Sequence, residues 1–327
     1  AAELLAAARA GDETEIGDVI ELMAAKGASP IEGYHGGETP LHAAAKAGHA
    51  GVAKLLLHHG ASLTAQNKGD KSRTPLHTAA HHGRTSVVEL LLESGAPVNA
   101  GEVANWRPIH EVAHTGHQKI GELLLAAGAD PNARADGGWH ALHQATGNGH
   151  PAFITMLVEA GASVNAVSTA EQRSALHIAA QMGRAGRTDA ARALLDAGID
   201  ARATDAEGLS ALHYAAVGGH ASLVELLLGH GADATEPYPP ASGPLAGRLP
   251  AEVARERGQE DVAAAFDKAT GGGRRCGAGD LDRSDAAAWT LPDDCTSLDL
   301  DRAALGVGGA APLAAALERR SGGGGAA

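Results

Sequence analysis

The chain has 327 residues, of which 44 % are hydrophobic and only 2 % aromatic, and its formal net charge at pH 7 is −13. The hydrophobic fraction is enough for a core, but with so few aromatic side chains the core must consist of many small contacts between alanine and leucine surfaces. The acidic balance argues against a nucleic-acid-binding protein, and no stretch approaches the ~18 uninterrupted apolar residues of a membrane span.

The two ends of the chain bear on its location. The first residues, Ala1-Ala2-Glu3-Leu4, do not form the basic and apolar segments of a secretory signal. The two cysteines, Cys276 and Cys295, both lie near the carboxyl end. Few thiols favour a reducing compartment, so we expect a cytoplasmic protein, with the nucleus as the alternative.

The pattern of residues 2–38 predicts a first pair of helices. An alanine-leucine run ends at Gly11, and an acidic segment near Glu15 to Ala25 follows it. A second helix that is this polar is typical of the end of an array of helices, where one face meets water.

A tetrapeptide then recurs along the chain. Thr39-Pro40-Leu41-His42 returns as Thr74-Pro75-Leu76-His77, and the starts of six copies differ by 35, 33, 33, 34 and 36 residues. The weaker copies begin at Arg107, His140, Ser174 and Ser210. Threonine or serine caps a helix and proline suits its first turn, so each copy predicts the start of a short helix. Glycine ends this helix, and a leucine-rich second helix that also ends at glycine follows in phase.

With a period near 33 residues and this tetrapeptide, the sequence resembles the ankyrin-repeat family over residues 2 to about 269. The resemblance implies an all-α solenoid of stacked helix-turn-helix units with capping repeats at both ends. The predicted array covers 1–270, with units near 2–38, 39–73, 74–106, 107–139, 140–173, 174–209 and 210–248 and a cap at 249–269.

Two insertions interrupt the phase of the repeats. Arg184-Ala185-Gly186 is predicted to lie between two helices. The proline-rich segment from Pro237 to Pro244 is predicted to be an extended turn.

Residues 271–327 differ in composition from the rest. They begin with the glycine-rich linker Gly271-Gly272-Gly273 and contain no copy of the repeat. We expect this tail to be largely disordered, or to be the start of a truncated domain. In the second case the repeats would be the targeting module of a longer enzyme.

One short motif resembles a catalytic site. Residues 110–114 read His-Glu-Val-Ala-His, a pattern in which two histidines one helical turn apart bind zinc and glutamate acts as the general base. The first histidine also belongs to the tetrapeptide of the fourth unit, and the predicted helix is short. We therefore predict no catalytic residue, no metal and no cofactor. A zinc hydrolase at His110, Glu111 and His114 remains the alternative.

The resemblance implies a protein partner, bound by a monomer through the concave face around the third to sixth units. There the residues before each helix-ending glycine vary, whereas the leucine and alanine framework is constant. Trp106 and Trp139 are 33 residues apart at equivalent tip positions, either as interface hot spots or as packing for the adjacent turn. The candidate partner-binding residues are Trp106, Trp139, Arg107, His81, His82, His114, Asn148, Gln181, Met182 and Tyr214.

Two further predictions concern the tips of the units. Lys68, Lys71, Arg73 and Arg84 form a local basic cluster, which could steer an acidic peptide or consist of solvated surface charges. The resemblance also implies asparagine hydroxylation, with candidates Asn99, Asn132 and Asn165; the alternative is that these asparagines only hydrogen-bond the turn.

Overall fold

The structure is a computed structural model that describes residues 2–25, 33–68, 72–182, 185–270, 274–276 and 295–298. In these residues sixteen α-helices follow one another as eight pairs, which we call the first to eighth units. The helices are α1 Ala2–Ala10, α2 Glu13–Ala25, α3 Pro40–Ala47, α4 Ala50–His58, α5 Pro75–His81, α6 Thr85–Glu93, α7 Pro108–Thr115, α8 Gln118–Ala126, α9 Ala141–Asn148, α10 Pro151–Glu159, α11 Ala175–Met182, α12 Ala185–Asp196, α13 Ala211–Gly218, α14 Ala221–Gly229, α15 Pro250–Glu256 and α16 Glu260–Ala269.

The units stack in sequence order. Each first helix contacts the first helix of the next unit, and each second helix contacts the second helix of the next. One continuous apolar core runs from Leu4 in the first unit to Phe266 in the last. This arrangement confirms the predicted all-α solenoid. We call the surface formed by the first helices and the tips the inner face, and the surface formed by the second helices the outer face.

The tetrapeptide histidine joins the start of its helix to the tip that closes the same unit. His42 places Nδ1 2.7 Å from Thr39 Oγ1 and Nε2 2.8 Å from Arg73 O. Equivalent contacts with the closing residue recur at His77, His143 and His177. His110 Nε2 instead bonds to Ala133 O, earlier in the same tip. Burial lowers the pKa of His77, His110 and His143 to about 4, so these rings are neutral near pH 7.

A second type of bond ties five of the units to the unit before. Gly48 ends α3 in the left-handed conformation, with φ 94°, and leaves carbonyl groups of the last turn without a helical partner. A side chain that begins the next unit's second helix donates to the carbonyl two residues before that glycine. We call these reach-back bonds, and they join His49 to Arg9, Arg84 to Lys46, His150 to His114, Arg187 to Gly147 and Gln259 to Val217.

The first insertion lengthens a helix instead of a loop. Ala185 and Gly186 lie inside α12, which has 12 residues where α4, α6, α8, α10 and α14 have 9. The prediction that this insertion lies between the helices is therefore wrong for these two residues. The added turn brings Arg187 to Gly147 and preserves the reach-back bond.

The proline-rich insertion is only partly extended. Pro239 has extended dihedral angles, but Pro240–Leu245 forms a 3₁₀ segment that is interrupted at Gly243. Tyr238 is buried against the seventh unit, and its hydroxyl donates to His213 O at 2.9 Å. The expectation of an extended turn is wrong from 240 onward, because burial of Tyr238 folds the segment back onto the array.

Beyond the array the structure describes two short strands. β1 Arg274–Cys276 pairs in parallel with β2 Cys295–Leu298. The other residues of 271–327 lie outside the described part, so the expectation for the tail stays a prediction. Among the described helices none is long and apolar enough to cross a membrane.

Candidate partner-binding face

The two tip tryptophans each pack against the tetrapeptide histidine of the following unit. The ring centroids of Trp106 and His110 are 5.4 Å apart, and those of Trp139 and His143 are 5.5 Å apart. Both tryptophans are half-buried. The structure thus gives each indole a packing contact and also leaves part of it accessible on the inner face.

A buried cluster, which we call the Arg73 cluster, joins the second, third and fourth units. Arg73 Nε donates to Glu111 Oε1 at 2.9 Å and lies 3.3 Å from Glu102 Oε2. His81 Nδ1 lies 2.7 Å from Glu111 Oε2, and because an ionised carboxylate only accepts, His81 is the donor. The side chain of Glu111 is only 1 % exposed.

The electrostatics of this cluster follow from its contacts. Burial alone would raise the pKa of Glu111, but the guanidinium of Arg73 and the hydrogen bond from His81 outweigh it and hold the pKa below its ordinary value. Burial lowers the pKa of His81. Near neutral pH, Glu111 is therefore a carboxylate held by a guanidinium and a neutral imidazole, which fixes the geometry of the inner face here.

An equivalent cluster, the Arg173 cluster, joins the fifth, sixth and seventh units. Tyr214 donates from its hydroxyl to Asp205 Oδ2 at 2.6 Å and accepts from Arg173 at 3.1 Å. The guanidinium also lies over the Tyr214 ring, 5.3 Å from its centroid. Burial and the contact with Asp205 raise the pKa of Tyr214 to about 12.

A pocket of 220 Å³ opens beside Tyr214. Its walls are mainly apolar and include Leu209, Val217, Tyr238 and Leu245. The folded proline-rich insertion supplies two of these four residues. This pocket can hold an apolar side chain of a partner at the carboxyl half of the inner face.

The His-Glu-Val-Ala-His motif has structural contacts at every position that a zinc site would need. His110 Nδ1 accepts from Arg107 N at 3.0 Å, so Nε2 carries the proton and donates to Ala133 O at 3.1 Å. Glu111 belongs to the Arg73 cluster, and His114 Nδ1 accepts from Asn148 Nδ2 at 3.1 Å. Both ring nitrogens of His110 are therefore engaged, and the motif does not fit a zinc site.

The remaining candidate residues divide between exposed and partly buried positions. His114, Asn148 and Gln181 are exposed on the first helices, whereas His82 is half-buried and bonds to Thr78 O at 2.9 Å. Arg107 is half-buried and lies 3.4 Å from Asp130 Oδ2. The side chain of Met182 is outside the described part, so its role stays a prediction.

The predicted basic cluster is distributed over several intramolecular contacts. Lys68 lies 4.3 Å from the centroid of the Tyr34 ring. Arg73 faces Glu102 and Glu111, and Arg84 makes a reach-back bond. Lys71 lies outside the described residues. The use of these charges for steering stays a prediction.

The candidate asparagines bridge consecutive tips. Asn99 donates to Gly128 O at 3.0 Å and accepts from Asp130 N at 3.0 Å. Asn132 makes the same pair of bonds to Gly161 and Ser163, and Asn165 accepts from Asp200 N. All three side chains are exposed and have a structural role, and their hydroxylation stays a prediction.

Sequence reasoning missed Glu102, Asp205 and Tyr238. Glu102 and Asp205 each lie four residues before the tip residue whose carbonyl receives their backbone N–H. An alignment of the units would have placed both acids at the same position. In each case the preceding unit ends with an arginine. Tyr238 carries no such signal, because it belongs to an insertion without a counterpart in other units.

Known proteins resemble this chain in sequence and in fold. The model described as "Ankyrin repeats (3 copies)" matches residues 63–135, 96–168 and 142–238, and the model "Ankyrin repeat" matches residues 36–68. No curated protein matched. Among solved structures, the crystal structure of the human ASB11 ankyrin repeat domain is 28 % identical with a TM-score of 0.60, and the match covers 70 % of this chain and 98 % of that chain. These matches include no enzyme family.

Proposed function

Because this chain belongs to the ankyrin-repeat family, whose domains are generally protein-binding modules, we propose that it recognises a protein partner through the inner face of its third to seventh units. The proposed role is non-catalytic, since both ring nitrogens of His110, the carboxylate of Glu111 and Nδ1 of His114 have partners within the fold.

A row of fixed, partly exposed aromatic rings is the observation that carries this proposal. Trp106 and Trp139 are held by ring contacts with histidines, and Tyr214 is held by Arg173 and Asp205. Aromatic side chains that are already ordered lose little entropy when a partner binds, and tryptophan and tyrosine are enriched among hot spots.

The surroundings of these rings add the features of a recognition surface. The pocket beside Tyr214 can take an apolar side chain of the partner. His114, Asn148 and Gln181 are exposed between the tryptophans and this pocket, where they can hydrogen-bond to a partner backbone. A partner with aliphatic and polar side chains along one segment would match this surface.

The test compares tip and outer-face variants of the full chain. A partner captured from native lysate by the full chain is purified, and its affinity is measured by calorimetry. Replacing Trp106 and Trp139 by alanine should cost roughly 2 kcal/mol or more, about thirtyfold in affinity. The matched control replaces Glu89 and Glu93, which are exposed on α6, and should leave affinity unchanged. Unchanged affinity in the tryptophan variant, with unchanged thermal unfolding, would contradict the proposal.

A further inference from the structure

Among the second helices from α4 to α14, one lacks a large side chain that the others share. At the position that begins the leucine triplet, the second helices from α4 to α14 carry Leu55, Leu90, Leu123, Met156, Ala193 and Leu226. The leucines Leu55, Leu90 and Leu123 and Met156 pack, partly buried, against the core. Ala193 is also partly buried but is three heavy atoms smaller, so α12 leaves space where its neighbours fill it.

A groove of 580 Å³ lies at this position, between α10 and α12 on the outer face. Its apolar lining includes Pro151, Val158, Ala193 and Ala197. The extra turn of α12 sets the spacing from the fifth unit. Backbone atoms of Gly186 would lie 3.1 Å from a Cβ at Gly149, and Arg187 bonds to Gly147 O at 2.8 Å. These contacts hold the first turn of α12 against the fifth unit.

The charges at the rim are predominantly negative. Glu159, Asp189 and Asp196 line the groove together with a single guanidinium, that of Arg192. The side chain of Asp196 is 64 % exposed, and His230 Nε2 lies 4.0 Å from its Oδ1. Three carboxylates around an apolar floor complement a segment that is both apolar and cationic.

We propose that this groove is a second docking site, separate from the inner face, for a cationic amphipathic segment of a protein partner. One large aliphatic side chain of the segment fills the space beside Ala193. Lysine or arginine residues on either side of it pair with Glu159, Asp189 and Asp196. The two faces could then hold two different proteins at once.

The probe is a labelled synthetic peptide of about fourteen residues, made of leucine, alanine and lysine, with leucines four residues apart on one helical face. Its counterpart carries glutamate in place of lysine. Fluorescence anisotropy with the full chain should show one-to-one binding of the lysine peptide, weakening as NaCl is raised, and no binding of the glutamate peptide.

Two variants locate the site. Ala193→Leu restores the side chain that the other units carry and should reduce affinity at least ~10-fold, while thermal stability stays equal or rises. Asp189→Lys with Asp196→Lys should reduce affinity by about the same factor. The matched control, Glu89→Lys with Glu93→Lys on α6, makes the same change of net charge away from the groove and should have little effect.

Three results would overturn the proposal. Equal affinity in all variants would show that the peptide binds the acidic surface in general. A change of oligomeric mass with Ala193→Leu would make a second copy of this chain the occupant. Affinity that rises when Leu313 and Leu317 are replaced by serine would make the chain's own carboxyl-terminal segment the occupant.

Discussion

The Arg73 and Arg173 clusters occupy equivalent positions, three units apart, and satisfy their buried polar groups in different ways. In both, an arginine from one tip meets an acid from the next tip and a side chain from the next first helix. That side chain is the carboxylate of Glu111 in one cluster and the phenol of Tyr214 in the other. The first cluster therefore depends on charge balance, whereas the second depends on hydrogen bonds and leaves an apolar pocket beside the ring.

The largest expected difference between the two regions appears in acid. Burial lowers the pKa of His177 and His213, in the sixth and seventh units, by less than it lowers the pKa of His77, His110 and His143. These three histidines lie in the third to fifth units, and their pKa falls from 6.5 to about 4. As pH falls from 6.5 toward 4, the unfolded chain takes up protons that the folded chain does not. The free energy of unfolding should therefore fall by about 1.4 kcal/mol per pH unit for each histidine.

Hydrogen exchange followed by mass spectrometry at pH 7 and pH 5 checks this, after correction for the intrinsic exchange rate. Helices α5, α7 and α9 should lose protection before α11 and α13. A uniform loss along the array, or an earlier loss in α13, would contradict the assignment of acid sensitivity to the first region.

Removing the arginine of each cluster should lower the free energy of unfolding by different amounts. Arg73→Met leaves Glu102 and Glu111 buried without their guanidinium, and we expect a loss of about 3–5 kcal/mol. Arg173→Met leaves Asp205 with bonds from Tyr214 and from the backbone of Glu207 and Leu209, and we expect a loss of about 1–2 kcal/mol. Urea denaturation of both variants measures the difference, and equal losses would show that charge burial does not distinguish the clusters.

The phenol of Tyr214 should give the second region a sensitivity to alkali. Its folded pKa of about 12 lies above the ordinary value of 10.0, so the unfolded chain loses this proton first and stability falls as pH rises above 10. Tyr214→Phe should cost about 1 kcal/mol at pH 7, from the lost hydrogen bonds, and should make the decline above pH 10 shallower. Thermal unfolding across this pH range is the measurement. An unchanged alkaline slope would assign the decline to other groups.

The smallest expected difference concerns the tips. Asn99 makes two bonds to the following unit, and Arg202, at the corresponding place in the sixth unit, makes one, from Nε to Gly231 O at 2.8 Å. Because these bonds are exposed, Asn99→Ala should cost about 1 kcal/mol and Arg202→Ala about half as much. Matched denaturation curves would show this order, and the reverse order would mean that the bonds do not set the stability of the tips.

The stack itself could be predicted from the sequence because its determinants are local and periodic. Thr74 and Pro75 start a helix, Gly83 ends it, and the same signals return one unit later. The pairing of Arg73 with Glu111 depends instead on two residues 38 positions apart, which approach only when units stack. Such a contact follows from the register between units, which no single unit encodes.

The insertions show a different limit. Because glycine ordinarily disfavours a helix, the sequence Arg184-Ala185-Gly186 does not indicate that α12 begins at Ala185. Contacts with Gly149 and Gly147 of the preceding unit stabilise this added helical turn. In the same way, Tyr238 folds the proline-rich segment back because its ring and hydroxyl find partners in the seventh unit.

The reach-back bonds give the array a direction. Five of the first helices are finished by a side chain that belongs to the unit made after them, as Arg84 finishes α3 and Gln259 finishes α13. On the ribosome, each of these five units would thus wait for its successor before this carbonyl group is satisfied. Shortening the chain from its carboxyl end at any of these junctions exposes an unfinished helix, whereas removing units from the amino end leaves the finishing groups of the later units in place.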